Sequence, residues 1–83
     1  MVENIEKEII SIISEVSGFD EEEITAEKNL ADDLEIDSIK AIEITVAIEK
    51  KFRISIRDED IPKIITVEDS IALAKTMIAQ NNG

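Results

Sequence analysis

The sequence predicts an all-α domain: a small bundle of three main helices plus one short helix, with a long loop between helices I and II. Three observations predict it. Apolar residues recur at three- and four-residue steps in three separate stretches. The stretch from Phe19 to Asp37 has no sustained period. The chain has 83 residues and no cysteine, so a single aliphatic core has to hold it without disulfides. The domain is expected over residues 1–80, with 81–83 as a polar tail.

Helix I is expected from about Val2 to Val16. Val2, Ile5, Ile9, Ile12, Ile13 and Val16 share one face, with Glu3, Lys7, Glu8 and Glu15 between them. Ser17-Gly18 stops it, and Gly18 suits a C-cap. In the loop that follows, Phe19, Ile24, Leu30, Leu34 and Ile36 are spaced like pins that tie it to a core. Thr25 to Lys28 suits a single helical turn capped by Thr25. From Asp20 to Asp37 there are nine acids against one base, Lys28. Their spacing does not match an EF-hand loop, so no dedicated metal site is expected.

Helix II is expected from about Ser38 to Lys51. Ile39, Ala41, Ile42, Ile44, Val46, Ile48 and Phe52 cover more than half its circumference, which predicts a central helix packed by more than one neighbour. Lys40, Glu43, Lys50 and Lys51 form its polar strip, interrupted by Ala47. Phe52 to Ile56 alternates but has no partner strand, and reads as an extended connector with Ile54 and Ile56 turned inward. Asp58-Glu59-Asp60 open a short helical turn, limited by Pro62. Ile64 and Ile65 are expected to point inward. The last helix starts at Thr66-Val67-Glu68-Asp69, with Thr66 as N-cap and Asp69 near the third helical position. Val67, Ile71, Ala74 and Ile78 form its stripe, flanked by Leu73 and Met77, and residues 80–83 are expected to fray.

Composition removes whole function classes. There is no histidine and no cysteine, so neither a Ser-His-Asp nor a Cys-His arrangement exists. Ser38 and Lys40 are two residues apart on a helix and do not face each other. The two glycines form no phosphate-cradling loop. The net charge is −11 and aromatics make up 2%, which argues against binding a nucleic-acid backbone or stacking its bases. No apolar run approaches a membrane span, and a soluble, cytoplasmic monomer is the expectation. The charge would steer in a basic protein partner. These residues argue for a binding or carrier module rather than an enzyme.

The chemistry concentrates at Asp37-Ser38, where the acidic loop ends and helix II begins. Asp and Ser are both preferred caps, because their oxygens accept hydrogen bonds from the free N–H groups of the first turn. The same N–H groups and the helix dipole favour an anion, so a serine there suits a phosphate ester. On position alone, either residue can be the cap.

Across nearly the whole length the chain resembles the acyl carrier proteins. Asp37-Ser38-Ile39 is similar to the family's Asp-Ser-Leu. Gly18-Phe19, Glu23-Ile24 and Leu30-Ala31-Asp32-Asp33-Leu34 resemble the approach to it, and Ile42-Glu43-Ile44 with Ala47 to Phe52 resemble its helix II. Ile56 to Asp60 and Lys63 to Val67 resemble the later blocks, with no gap needed between them. The resemblance implies 4′-phosphopantetheine on Ser38, with Asp37 assisting its transfer by a phosphopantetheinyl transferase and Ile39 as an apolar contact. It implies thioester-borne acyl chains for fatty-acid, lipid or polyketide-type synthesis. Loading and processing enzymes with basic docking patches would meet Glu43, Val46, Ala47, Glu49, Asp58, Glu59 and Asp60. Acyl chains would retreat among Ile42, Val46, Ile61, Ile64 and Ala74. Departures from the pattern, Lys40 after the serine, Glu35-Ile36 before it and Arg57 for the usual proline, imply a specialised member. Two alternatives stand beside this: a peptidyl or aminoacyl carrier, and an unmodified acidic adaptor for a basic partner.

Overall fold

The computed structural model describes residues 4–82. Among them are three α-helices, α1 (Ile5–Ser17), α2 (Ser38–Phe52) and α3 (Val67–Asn82), and two 3-10 segments, Glu21–Glu23 and Asp58–Lys63. α1 packs against both α2 and α3, and α2 also meets the second 3-10 segment. The core they enclose is almost wholly aliphatic: Ile9, Ile13, Leu34, Ile48 and Val67 are its best-sealed large residues.

Among the described residues α1 runs from Ile5. Asn4, its N-cap, takes a left-handed φ of 59°, a region that Asn tolerates better than most residues. Val2 lies outside the described residues. Gly18 closes α1 as expected, with φ 84° and its N–H donating to the Ser14 carbonyl.

Four of the five loop pins, Ile24, Leu30, Leu34 and Ile36, are buried, and Phe19 packs against the same core. The helical turn, however, forms at Glu21–Glu23 and not at Thr25. Glu23 reaches back to accept the Asp20 N–H at 3.1 Å, a stabilisation the Thr25 stretch lacks. Thr25 to Lys28 makes only one hydrogen-bonded turn. The loop is then stitched to the entry of α3. Leu30 N–H donates to Ile65 O, Val67 N–H to Lys28 O, and Glu68 N–H to Ala26 O, all within 3.0 Å. Such pairing keeps a long loop ordered without a regular element of its own.

α2 is as broad in apolar character as expected, but packing does not account for the breadth. Ile39, Ile42 and Val46 are exposed, and the covered face is Ile44, Thr45, Ile48 and Phe52. Ile54 and Ile56 of the connector do reach the core. Pro62 does not end the segment after it. That segment is two successive turns, Arg57–Asp60 and Ile61–Ile64, and Pro62 falls second in the latter, where its missing N–H is not needed. Ile65 points outward, a correction to its expected burial. The backbone is extended at the preceding Ile64, so successive side chains alternate, with Ile64 turned inward and Ile65 outward.

α3 opens as expected. Thr66 Oγ1 accepts the Asp69 N–H at 3.1 Å, and Asp69 Oδ2 accepts the Thr66 and Ile65 N–H groups at 3.0 Å each. Those two bonds hold the Asp69 carboxyl below its ordinary value of 3.8. The helix continues through Asn82 rather than fraying from Gln80, and Gly83 lies outside the described residues.

Candidate functional site

The approach to Ser38 is built by Asn29. Its Oδ1 accepts the N–H groups of Ala31 and Asp32 at 2.9 and 2.8 Å, while Asp33 Oδ2 accepts the Asn29 N–H at 2.8 Å. This side-chain turn buries Leu30 and Leu34 and leaves Asp32 and Asp33 exposed. Ile36 is then fixed by its N–H on the Leu30 carbonyl at 2.8 Å. Between them Glu35 takes φ 56°, and the chain turns toward α2.

The cap ambiguity resolves at Asp37. Its backbone is extended, and its Oδ1 accepts the Lys40 N–H at 2.8 Å, so Asp37 is the N-cap of α2. Ser38 is therefore released from capping. It is the first helical residue and exposed, and among the described residues its hydroxyl makes no hydrogen bond. The N–H groups of the first turn and the helix dipole face the same side, which favours an anion esterified there. Of the six serines, only Ser38 and Ser55 are exposed, and Ser55 lies on the connector, away from any helix start.

Ser38 also stands at the mouth of an open cleft of about 800 Å³. One wall is α2, with Ala41, Ile42, Thr45 and Ile48, and the facing wall carries Ile61, Pro62, Ile64 and Ile65. Of the residues expected in such a cleft, Ile42, Ile61 and Ile64 line it. Val46 and Ala74 do not: Val46 turns to solvent on the outer side of α2, and Ala74 is sealed in the core. Sequence reasoning missed Ala41, Thr45 and Ile48, although their spacing from Ser38 already placed them on one face of the helix.

The residues expected to meet partners are not equivalent. Glu43, Asp58 and Glu59 are exposed, as is Val46, and Ala47 is half-buried. Glu49 is half-buried and turned inward, where its Oε2 accepts the Ile56 N–H at 2.7 Å. Asp60 is buried, with Arg57 at 3.4 Å and Lys63 at 3.5 Å on its two oxygens. Two acids that look open in the sequence are thus structural. Lys51 is tied to Glu8 on α1 at 3.0 Å, which leaves Lys40 and Lys50 as the basic members of the polar strip not held by an ion pair among the described residues. The missed feature is apolar: Ile39, Ile42 and Val46 form an exposed row starting beside Ser38.

Residues 7–74 match the family model described as the phosphopantetheine attachment site. The meromycolate extension acyl carrier protein of Mycobacterium tuberculosis is 42% identical over 73 residues, covering 88% of this chain and 64% of that one. The chain belongs to the acyl carrier protein family. The acyl carrier protein of Rhodococcus erythropolis is 37% identical over 78 residues, covering 94% of this carrier-family chain and 86% of that one. This chain thus spans just under two thirds of the first relative and most of the second. A solution structure of the apo doublet acyl carrier protein from prodigiosin biosynthesis superposes with a TM-score of 0.75 at 22% identity, over 87% of this chain and 35% of that one. That likeness shows the acyl-carrier fold. The cofactor of the family is 4′-phosphopantetheine, and an exposed hydroxyl, unencumbered at a helix N-terminus, fits its attachment.

Proposed function

We propose that this protein carries acyl intermediates on 4′-phosphopantetheine attached to Ser38, in a lipid or polyketide-type synthesis served by its own enzyme set. One observation carries the reading: Ser38 alone combines exposure, a free hydroxyl, a helix N-terminus and the mouth of an apolar cleft. Ser38 Oγ is the nucleophile, forming a phosphodiester with the pantetheine-side phosphate as the pyrophosphate bond of coenzyme A breaks and adenosine 3′,5′-bisphosphate leaves. Its proton leaves to a base of the transferase, since the chain has no histidine to take it. Asp37 holds the first turn of α2 in place and sets a carboxylate beside the reacting oxygen, suited to the transferase's Mg²⁺. The arm's terminal thiol supplies the acyl-bearing nucleophile that a cysteine-free chain lacks.

The two named relatives, a meromycolate extension carrier and an acyl carrier, support an acyl rather than a peptidyl cargo. The cytoplasm is the compartment this role requires, and no helix among the described residues is long and apolar enough to cross a membrane. Partner enzymes dock on Glu43, Asp58 and Glu59 around the exposed row Ile39, Ile42 and Val46, with Asp32 and Asp33 extending the acidic rim. Lys40 and Lys50 dilute α2 itself, so docking leans toward the loop and the second 3-10 segment. Asp58→Lys with Glu59→Lys is expected to slow loading by the cognate enzyme about tenfold at low salt, with the gap closing as salt rises. Equal rates at low salt would remove these two acids from the docking surface. Attachment is tested by intact mass after incubation with coenzyme A, Mg²⁺ and a broad-specificity transferase. The protein gains one phosphopantetheine and Ser38→Ala gains none; an unchanged mass for both would leave an unmodified adaptor.

A further inference from the structure

The buried residues that line the cleft beside Ser38 are aliphatic except for Thr45 on α2 and Ser70 on α3, whereas its other polar lining residues, Asn29, Asp32, Asp37, Ser38 and Asp58, are exposed or half-buried. Both residues line it, and both hydroxyls have already spent their protons. Thr45 Oγ1 donates to the Ala41 carbonyl at 2.9 Å, and Ser70 Oγ donates to the Val67 carbonyl at 2.7 Å. Each oxygen therefore keeps two lone pairs and offers the cleft an acceptor without a donor. Thr45 lies two helical turns beyond Ser38, on the same face of α2 and about 10 Å along its axis. A group tethered at Ser38 and folded back along that face meets Thr45 below the mouth.

We propose that Thr45 and Ser70 make this cleft selective for hydroxyl-bearing acyl chains over saturated ones of equal length, an inference that rests on Ser38 being the attachment residue. A saturated chain gains apolar burial but leaves both lone-pair sites empty. A chain hydroxyl buried without a partner would carry a desolvation cost, and here it finds an acceptor at a depth no water needs to fill. A ketone at the same position accepts but cannot donate, so neither oxygen serves it unless it gives up its own helix bond.

The test loads the full chain at Ser38 with octanoyl, 3-hydroxyoctanoyl, 7-hydroxyoctanoyl or 3-oxooctanoyl arms, using the matching coenzyme A thioesters and a promiscuous transferase. Protection is read as the rate of thioester cleavage by hydroxylamine, each divided by the rate for the corresponding coenzyme A thioester. At least one hydroxylated chain is expected to be protected about three- to tenfold more than octanoyl, the range of one net hydrogen bond. Thr45→Val combined with Ser70→Ala abolishes that advantage, whereas Thr45→Ser retains it. The wild-type comparison stands even if the double variant does not fold. Equal protection of saturated and hydroxylated chains, or an equal gain for the ketone, would overturn the selectivity alone. An unchanged intact mass after the loading step would instead overturn the carrier reading, and this inference with it.

Discussion

Glu35 turns the chain into α2 with a φ of 56°, in the left-handed region where a side chain crowds the backbone. Replacing it with glycine removes that crowding at some cost in unfolded-chain entropy. Glu35→Gly is expected to stabilise the fold by about 0.5–1 kcal/mol, read from the urea midpoint; a lower midpoint would mean that the side chain contributes more than its backbone costs. Asp69 is the converse case, an acid whose carboxylate is needed. Hydrogen bonds from the Thr66 and Ile65 N–H groups lower its folded pKa below 3.8, so its contribution is complete above that pH and fades as pH falls through the folded value. Asp69→Ala is expected to cost about 1 kcal/mol at pH 7, with its gap from the wild type narrowing below pH 3.8. A gap that does not change with pH would deny the carboxylate this role. At this scale the sequence was legible where position alone assigns a role, as at Thr66, Asp69 and Gly18. It was not legible at Asp60 and Glu49, because an exposed and an inward carboxylate have the same letter. Which of Asp37 and Ser38 caps α2 likewise depended on a backbone angle.

The three helices followed from their apolar periods, with α1 and α2 each ending one residue beyond the expected position and α3 continuing to Asn82. Less legible were contacts between stretches distant in the chain. The stitching of Leu30 to Ile65 and of Val67 to Lys28 uses main-chain groups that carry no residue code. These bonds fix the loop beneath Ser38, so the site is positioned by pairing that periodicity cannot report. The α2 row of Ile39, Ile42 and Val46 misled for a related reason: an apolar residue reads as core whether or not the rest of the chain covers it. The connector after α2 shows an element held by one side chain. Glu49 accepts the Ile56 N–H at 2.7 Å across seven residues of chain. Glu49→Ala leaves that N–H without its acceptor and is expected to cost about 1–3 kcal/mol. Amide exchange at Ile56 should quicken in the variant; unchanged protection there would show that the bond contributes nothing to the connector.

A net charge of −11 on 83 residues repels itself throughout the folded molecule, most densely over the loop before Ser38. Raising salt from about 0.01 to about 0.15 M shortens the Debye length from about 30 to about 8 Å. The thermal midpoint is therefore expected to rise over that range, and a fall would mean that attractive pairs such as Lys51 with Glu8 outweigh the repulsion. The molecule tolerates this repulsion because its core is aliphatic and most of its acids are exposed, Asp60 being the buried exception among the described residues. Only Ser55 rivals Ser38 in exposure among the serines. Fragment-ion localisation of the phosphopantetheine added by a transferase therefore addresses the central claim most directly. The account predicts that the whole added mass resides on Ser38; its appearance on Ser55, or on no residue at all, would contradict it.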